Sequence, residues 1–366
     1  MGSVIGKTLK ISVFGESHGK GIGAVIDGFP AGIEVDDGYI LREMQRRAPV
    51  YAASGTKRKE SDVPRILSGV LDGKTTGAPV CVFIENSDVR SSDYSDFMNI
   101  PRPGHSDFTA RIRYNGYNDI RGGGHFSGRL TAPVVFAGAL SKLALKKAGI
   151  EAGAHILRVG YAADNAFSSF SPDISLINEL RNKKIPVISD AAGVRMLETA
   201  ERARREGDSV GGIVECAVLG VPAGLGSPMF DCVESRLAAM LFAIPAVRGV
   251  DFGRGFDGAA MRGSEANDGF YVKDGKVETR TNNHGGVLGG ITSGMPVIFS
   301  VAFKPTPSIS TPQNSVDITR MENTEIRVSG RHDPCVVFRA VPAVEACVAI
   351  TMLDLLLEAR GYEYFR

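Results

Sequence analysis

Six histidines occur in the 366 residues, and five of them sit in glycine- or proline-rich stretches. These are His18 in GESHGKG, His105 in RPGHSD, His125 in GGGHFSGR, His284 in NNHGG and His332 in GRHDP. His155, in EAGAHILRVG, reads as an ordinary strand-edge residue. Imidazole titrates near neutral pH and can deliver a proton to a leaving oxyanion, so imidazoles held in turns suit general acid catalysis. The same stretches gather arginines at 102, 111, 113, 121, 129, 254, 262 and 331. A guanidinium fork beside glycines that admit close backbone approach grips phosphate and carboxylate. The predicted ligand is a polyanion.

Other chemistries fit less well. GESHGKGIG has the look of a phosphate cradle, but a nucleotide P-loop needs G-x-x-x-x-G-K-[ST]. Here Gly15 to Gly19 is one residue short and Lys20 is followed by Gly21. A dinucleotide fingerprint fails too, since IGAVIDG reads as a strand, which places the loop between two strands. The histidines lack the H-x-x-E-H or H-x-H spacing that puts two imidazoles on one metal, so no metal is expected. GHFSGR and GITSGM are not the setting of a serine nucleophile. The run FKPTPSISTPQ (303–313) is a stiff connector or, with Lys304 and its hydroxyls, a phosphate or cofactor clamp. Two rival classes stay open on the residues alone: a small-molecule kinase, and a non-catalytic anion-binding protein with structural histidines.

The elements that must position these turns come next. Strand-like runs lie at 9–14, 23–28, 79–85, 211–220 and 295–303. DDGYILREMQRR starts behind an aspartate cap, the run from Thr131 ends in lysines and a glycine, and DAAGVRMLETAERARREG ends in arginines and Gly207. The stretch 342–361 is apolar on most of its circumference and predicts a central core helix. Hairpin-like strand pairs predominate, so the fold class predicted is α+β with antiparallel sheets, in a single large domain. Long, patterned loops at about 86–129, 251–294 and 304–335 are expected to be functional.

Composition narrows the rest. Lys plus Arg (42) balances Asp plus Glu (41), which gives no overall pull toward nucleic acid or membrane. The five scattered cysteines show no C-x-x-C and fit a reducing cytoplasm. The N-terminus runs at once into a strand, and no uninterrupted apolar run is long enough to span a bilayer. Glycine, 44 residues, exceeds the usual ~7% without a fixed period, so many turns are expected.

Four segments together resemble the chorismate synthase family. They are GESHGKGIGAVIDGFP (15–30), RPGHSDFTARIRY (102–114) with RGGGHFSGRLTAPVVFAGA (121–139), NNHGGVLGGITSG with FKPTPS, and GRHDPCVVFRAVPAVEA (330–346). The resemblance spans nearly the whole chain. It implies a carbon–oxygen lyase that eliminates phosphate from the small molecule 5-enolpyruvylshikimate-3-phosphate to give chorismate, the last step of the shikimate pathway. It also implies a requirement for reduced FMN, the dihydroflavin pushing electron density into the ring as phosphate leaves.

By the same resemblance His18 protonates the leaving phosphate and His105 protonates the reduced flavin. Asp333, with Ser17 and Ser127, forms the implied relay near flavin N5, where the ring proton at C6 is removed. Arg47, Arg102, Arg129 and Arg331 are the implied substrate contacts, with Arg46 equally able to take the place of Arg47 because sequence does not fix helix phase. Implied flavin contacts are His125, Phe126, Ser127, Pro245, Ala246, Gly289, Lys304, Pro305, Thr306, Pro307, Ser308 and Arg331. Many family members carry a further arginine where this chain reads APVYAASGT, and Arg42 or Lys57 are its candidate replacements. The implied architecture is a β-α-β sandwich with long helices between antiparallel sheets, assembled as a homotetramer. The modest length leans toward flavin reduced by an external reductase rather than by NADPH on this protein.

Overall fold

The structure is a computed structural model that describes residues 2–47, 62–86, 97–167, 172–328 and 333–365. Two five-stranded antiparallel sheets frame it. The first contains β1 (Val4–Ile5), β2 (Lys10–Gly15), β3 (Gly21–Asp27), β4 (Arg65–Ser68) and β5 (Val80–Glu85), in the order β1-β2-β3-β5-β4. The second contains β6 (Glu151–Val159), β7 (Ala162–Ala163), β8 (Gly212–Leu219), β9 (Val247–Phe252) and β10 (Val297–Phe303), in the order β9-β10-β8-β6-β7. Three helices fill the space between: α1 (Asp37–Arg47), α3 (Thr131–Lys147) and α7 (Val337–Arg360). Further helices are α2 (Asp107–Arg113), α4 (Ile174–Asn182), α5 (Asp190–Arg205) and α6 (Val233–Leu241). α3 touches both sheets, while α7 packs on α3 and the second sheet, so the β-α-β layering expected from the sequence is present.

The helices start and stop where local chemistry requires. The Asp36 carboxylate accepts from the Tyr39 backbone at 2.8 Å and opens α1. α3 and α7 cross with their backbones nearly touching at Gly138, where an added Cβ would lie 2.3 Å from Ala346 Cα. α7 is long and apolar enough to cross a membrane by length and composition, but that apolar stretch is wholly buried here against α3 and β6. It is the core helix the sequence predicts, and it begins at Val337, five residues earlier than expected.

The sequence marks β6 only through the strand histidine His155 and gives neither its bounds nor its central place. β6 carries Ala152, Gly153 and Ala154, weak strand formers chosen for closeness: a Cβ on Gly153 would meet Ile177 Cγ2 of α4 at 2.4 Å. The predicted long loops are not structureless either. They hold α2, two hairpins (270–279 and 287–292) and a third at 313–326.

The second sheet is buried on both faces. Val214, Cys216 and Val218 of β8 enter the main core, whereas Ala217 and Leu219 join Phe167, Leu176, Leu180 and Ile298 on the other side. His155 lies on that second side, fully buried, which corrects its reading as a strand-edge residue. Its Nε2 is 2.8 Å from Glu215 Oε2, and its Nδ1 makes an ion-pair contact with Asp164 Oδ2 at 3.3 Å. Burial opposes the charged imidazole, but hydrogen bonding and charge from Asp164 and Glu215 outweigh it, and its pKa is raised. Because the folded value lies above the unfolded one, this stabilisation is complete below about pH 6.5 and is lost as pH rises through the raised value. Imidazole NMR of the folded protein should show His155 titrating above the ordinary range; titration at or below it would refute the assignment. His155→Leu, which strands two buried carboxylates, should cost about 3–5 kcal/mol in denaturant unfolding at neutral pH.

Candidate active site

GESHGKG forms the turn between β2 and β3, as its spacing predicts, and therefore carries no helix N-terminus for a nucleotide phosphate. Asn86, just past β5, clamps it: Nδ2 donates to Glu16 O at 2.9 Å and to Gly19 O at 3.0 Å. The turn then docks on a second one, with the Ser17 backbone donating to Gly124 O at 3.1 Å.

That second turn, Gly122-Gly123-Gly124, has three successive positive φ angles of 60°, 84° and 53°, a path that side chains resist. A Cβ on Gly122 would stand 2.4 Å from His18 Cδ2 and 2.8 Å from Ser17 Oγ. A Cβ on Gly123 would stand 3.7 Å from both His105 Nε2 and Ser127 Cβ. Two adjacent glycines thus bring His18, Ser17, His105 and Ser127, from three distant stretches, onto one small surface. His18 and Ser17 are buried. The Asp119 carboxyl nearby is held below its usual range by Arg121, and the charge of His18 adds to that effect.

RPGHSD folds so that Arg102 wraps round Asp107. Arg102 Nε donates to Asp107 Oδ2 at 2.7 Å, Nη2 to Oδ1 at 2.8 Å and Nη1 to Ser308 Oγ at 3.3 Å. The guanidinium also lies over the Phe97 ring at 4.4 Å. This fork is occupied by protein groups, so its geometry favours holding the site over gripping a ligand. FKPTPS lies alongside: Lys304 Nζ donates to Gly104 O, and Pro307 sits beside Gly104. The Lys304 backbone donates to Ala246 O at 2.9 Å, which brings Pro245 and Ala246, the latter at φ 75°, to the same edge. Burial and then the charge of Arg248 lower the pKa of Lys304. Thr306 Oγ1 is buried with no hydrogen-bond partner among the described residues.

The arginines form a second group. Arg46 and Arg47 are adjacent on α1, yet they face different places. Arg46 turns into the core to Glu345 (2.7 Å) and Glu43 (3.0 Å), which removes it as a substitute for Arg47. Arg47 is fully buried and bonds Asp62 through Nε at 3.1 Å and through Nη2. Asp62 also receives Arg129 Nη1, while Arg129 Nε donates to Asn86 Oδ1 at 3.2 Å. Asp333 accepts from Arg339 Nη1 at 2.6 Å, and Arg339 Nε donates to Arg47 O at 3.3 Å. Asp333 is thereby tied to the arginine group.

Other expected residues lie apart or are engaged differently. The His125 ring spans Gly15 O (2.8 Å) and Ser3 Oγ (3.1 Å), a structural link between β2 and the glycine turn. Phe126 is partly exposed, edge-on to Tyr114. Gly289 is in a hairpin turn that leans on residues 226–233. His284 donates its backbone N–H to Asp268 and is exposed. Arg254 reaches Asn283, and Arg262 caps its own short turn with Glu265. Arg42 stacks on Tyr39. Arg331, His332 and Lys57 lie outside the described residues. Asn86, Asp62, Asp107 and Arg339 were missed in the sequence, since none belongs to a spacing pattern that announces it.

The family model for chorismate synthase matches residues 9–357. Named chorismate synthases are similar along their whole length: that of Thermococcus kodakarensis is 51% identical over 98% of both chains, that of Pyrococcus abyssi 50% identical over 98% of both, and that of Dehalococcoides mccartyi 44% identical over 98% of both. A crystal structure of a chorismate synthase superposes with a TM-score of 0.77 at 28% identity, covering 98% of this chain and 94% of that one. A glycine turn that gathers two histidines and two serines beside an arginine cluster is thus found in a chain that belongs to the chorismate synthase family, lyases of the shikimate pathway.

Proposed function

We propose that this site performs the family reaction, trans 1,4-elimination of phosphate from 5-enolpyruvylshikimate-3-phosphate, with reduced FMN bound beside the substrate. The convergence of His18, Ser17, His105 and Ser127 on Gly122 and Gly123 carries the reading. His18 is the acid that hands a proton to the departing phosphate oxygen, and its burial keeps competing water away. His105 is the second general acid, giving up from Nε2, on the Gly123 side, the second proton of its charged ring. Asp333, held by Arg339, is the carboxylate that ends a relay through the hydroxyls of Ser17 and Ser127, each passing on a proton as it accepts one, for the proton lost from C6 of the ring. Arg47 and Arg129 supply the cationic wall for the substrate carboxylates and phosphate. Arg102 keeps His105 and Ser308 in place rather than meeting the substrate alone.

The residues present fit a flavin. The two glycines leave room where a Cβ would intrude, Thr306 Oγ1 has no partner among the described residues, and Lys304 with Arg248 makes a corner where an anion relieves cation repulsion. Pro245, Ala246, Lys304 to Ser308, Phe126 and Ser127 would hold it. When bound, reduced FMN supplies electron density to the reacting ring. Assembly as a homotetramer is carried over from the family resemblance, and the exposed side chains of Phe230, Phe256, Phe270 and Val272 are apolar surface open to such contacts. Cysteines without disulfides support a cytoplasmic setting.

Three outcomes test this. Anaerobic protein given reduced FMN and 5-enolpyruvylshikimate-3-phosphate should release phosphate, and a rate equal to the flavin-free control would overturn the reading. His18→Ala should lower kcat by about 10²–10⁴-fold with KM nearly unchanged; equal losses in both would reduce His18 to a binding group. Gly122→Ala, forced into a positive φ with its Cβ against His18, should abolish turnover, and wild-type turnover would show that the glycine contact is incidental.

A further inference from the structure

Asp107 is a buried carboxylate that the roles above leave unassigned. It opens α2 and accepts from the Arg102 backbone at 3.1 Å as well as from the guanidinium. Its Oδ1 lies 2.6 Å from His105 Nδ1. Arg102 Nη2 is also near that nitrogen, at 3.2 Å, and Ser106 Oγ is at 3.5 Å. The two closest neighbours make opposite demands. A lone pair on Nδ1 would accept from Arg102 but would repel a carboxylate oxygen at 2.6 Å, so the shorter contact decides and the proton sits on Nδ1. The ring is then turned so that Nε2 faces Gly123 and Ser127.

We propose that Asp107 is a positioning residue for His105: it fixes the Nδ1–H tautomer, aims Nε2 into the site and balances the imidazolium when Nε2 carries its proton. Arg102 completes the arrangement by keeping Asp107 ionised, so the carboxylate does not take the proton from the imidazole. Burial pushes the Asp107 carboxyl up, but the hydrogen bonds from Arg102 and His105 bring it well below the ordinary range. The dyad follows the logic of carboxylate–imidazole pairs, in which the carboxylate sets tautomer and orientation without itself being protonated. The inference rests on the reading of His105 as a general acid.

The test pairs ¹⁵N NMR of the His105 ring with turnover in reduced FMN, for wild type, Asp107→Asn, Asp107→Glu and His105→Ala. In Asp107→Asn, Arg102 claims the amide oxygen and turns the amide NH₂ toward Nδ1, which moves the proton to Nε2. The expected result is a switched tautomer, kcat lower by about 10²–10⁴-fold, KM within a few-fold and a displaced pH profile, by analogy with other carboxylate-to-amide changes in such dyads. Asp107→Glu should keep Nδ1–H and recover part of kcat. Asp107→Asn with an unchanged tautomer would overturn the inference whether turnover falls or not, since a fall would then be structural. Wild-type turnover in His105→Ala would remove the underlying reading of His105, a result separate from the first.

Discussion

The position of Arg47 depends on a charge cluster buried between the helices. Glu345 projects from the middle of α7, where almost every neighbour is apolar, and receives Lys142 Nζ of α3 at 2.5 Å, Arg46 of α1 at 2.7 Å and the Ala154 backbone of β6 at 3.0 Å. Glu43 joins from α1, with Lys142 at 2.5 Å. Burial pushes the Glu345 carboxyl up, but Arg46 and Lys142 overcome it and hold it ionised. Such clusters add little net stability compared with well-packed apolar residues, yet removing one member leaves an uncompensated charge. Their effect here is on register. Three helices and a strand meet at one carboxylate, so α1 cannot rotate, and Arg47, one residue on from Arg46, is aimed at Asp62.

The site at the end of that helix is assembled by backbone as much as by side chains. Gly122 and Gly123 let two histidines approach a main chain that carries no Cβ, and Asn86 holds both the His18 turn and Arg129. Groups fixed before ligand arrives, in a place that excludes water, need not reorganise as charge develops, which is where most electrostatic catalysis comes from.

Much of this was legible in the sequence, for identifiable reasons. The apolar 342–361 stretch is a local signal and led to the core helix, and of the five histidines in glycine- or proline-rich turns two, His18 and His105, meet at the glycine turn. The unread parts are long-range. β6 is built of small residues because α4 must come close to it, a requirement visible only with the partner in place. His155 looks like any strand histidine until Glu215 and Asp164 meet it from residues 60 and 9 positions away. Arg46 and Arg47 differ by one residue, and their separation into core and site is settled by Glu345, 299 residues on from Arg46.

The charges of the site set a further constraint. Arg47 and Arg129 share Asp62, Arg102 is held by Asp107 and Arg339 by Asp333, so four guanidiniums face three carboxylates. Each carboxylate fixes a fork in place and cancels part of its attraction for an anionic ligand. Uncompensated arginines would attract a polyanion more strongly, but they would repel one another and scatter before it arrived. The arrangement exchanges net charge for geometry, and geometry is what a proton transfer to a leaving group requires.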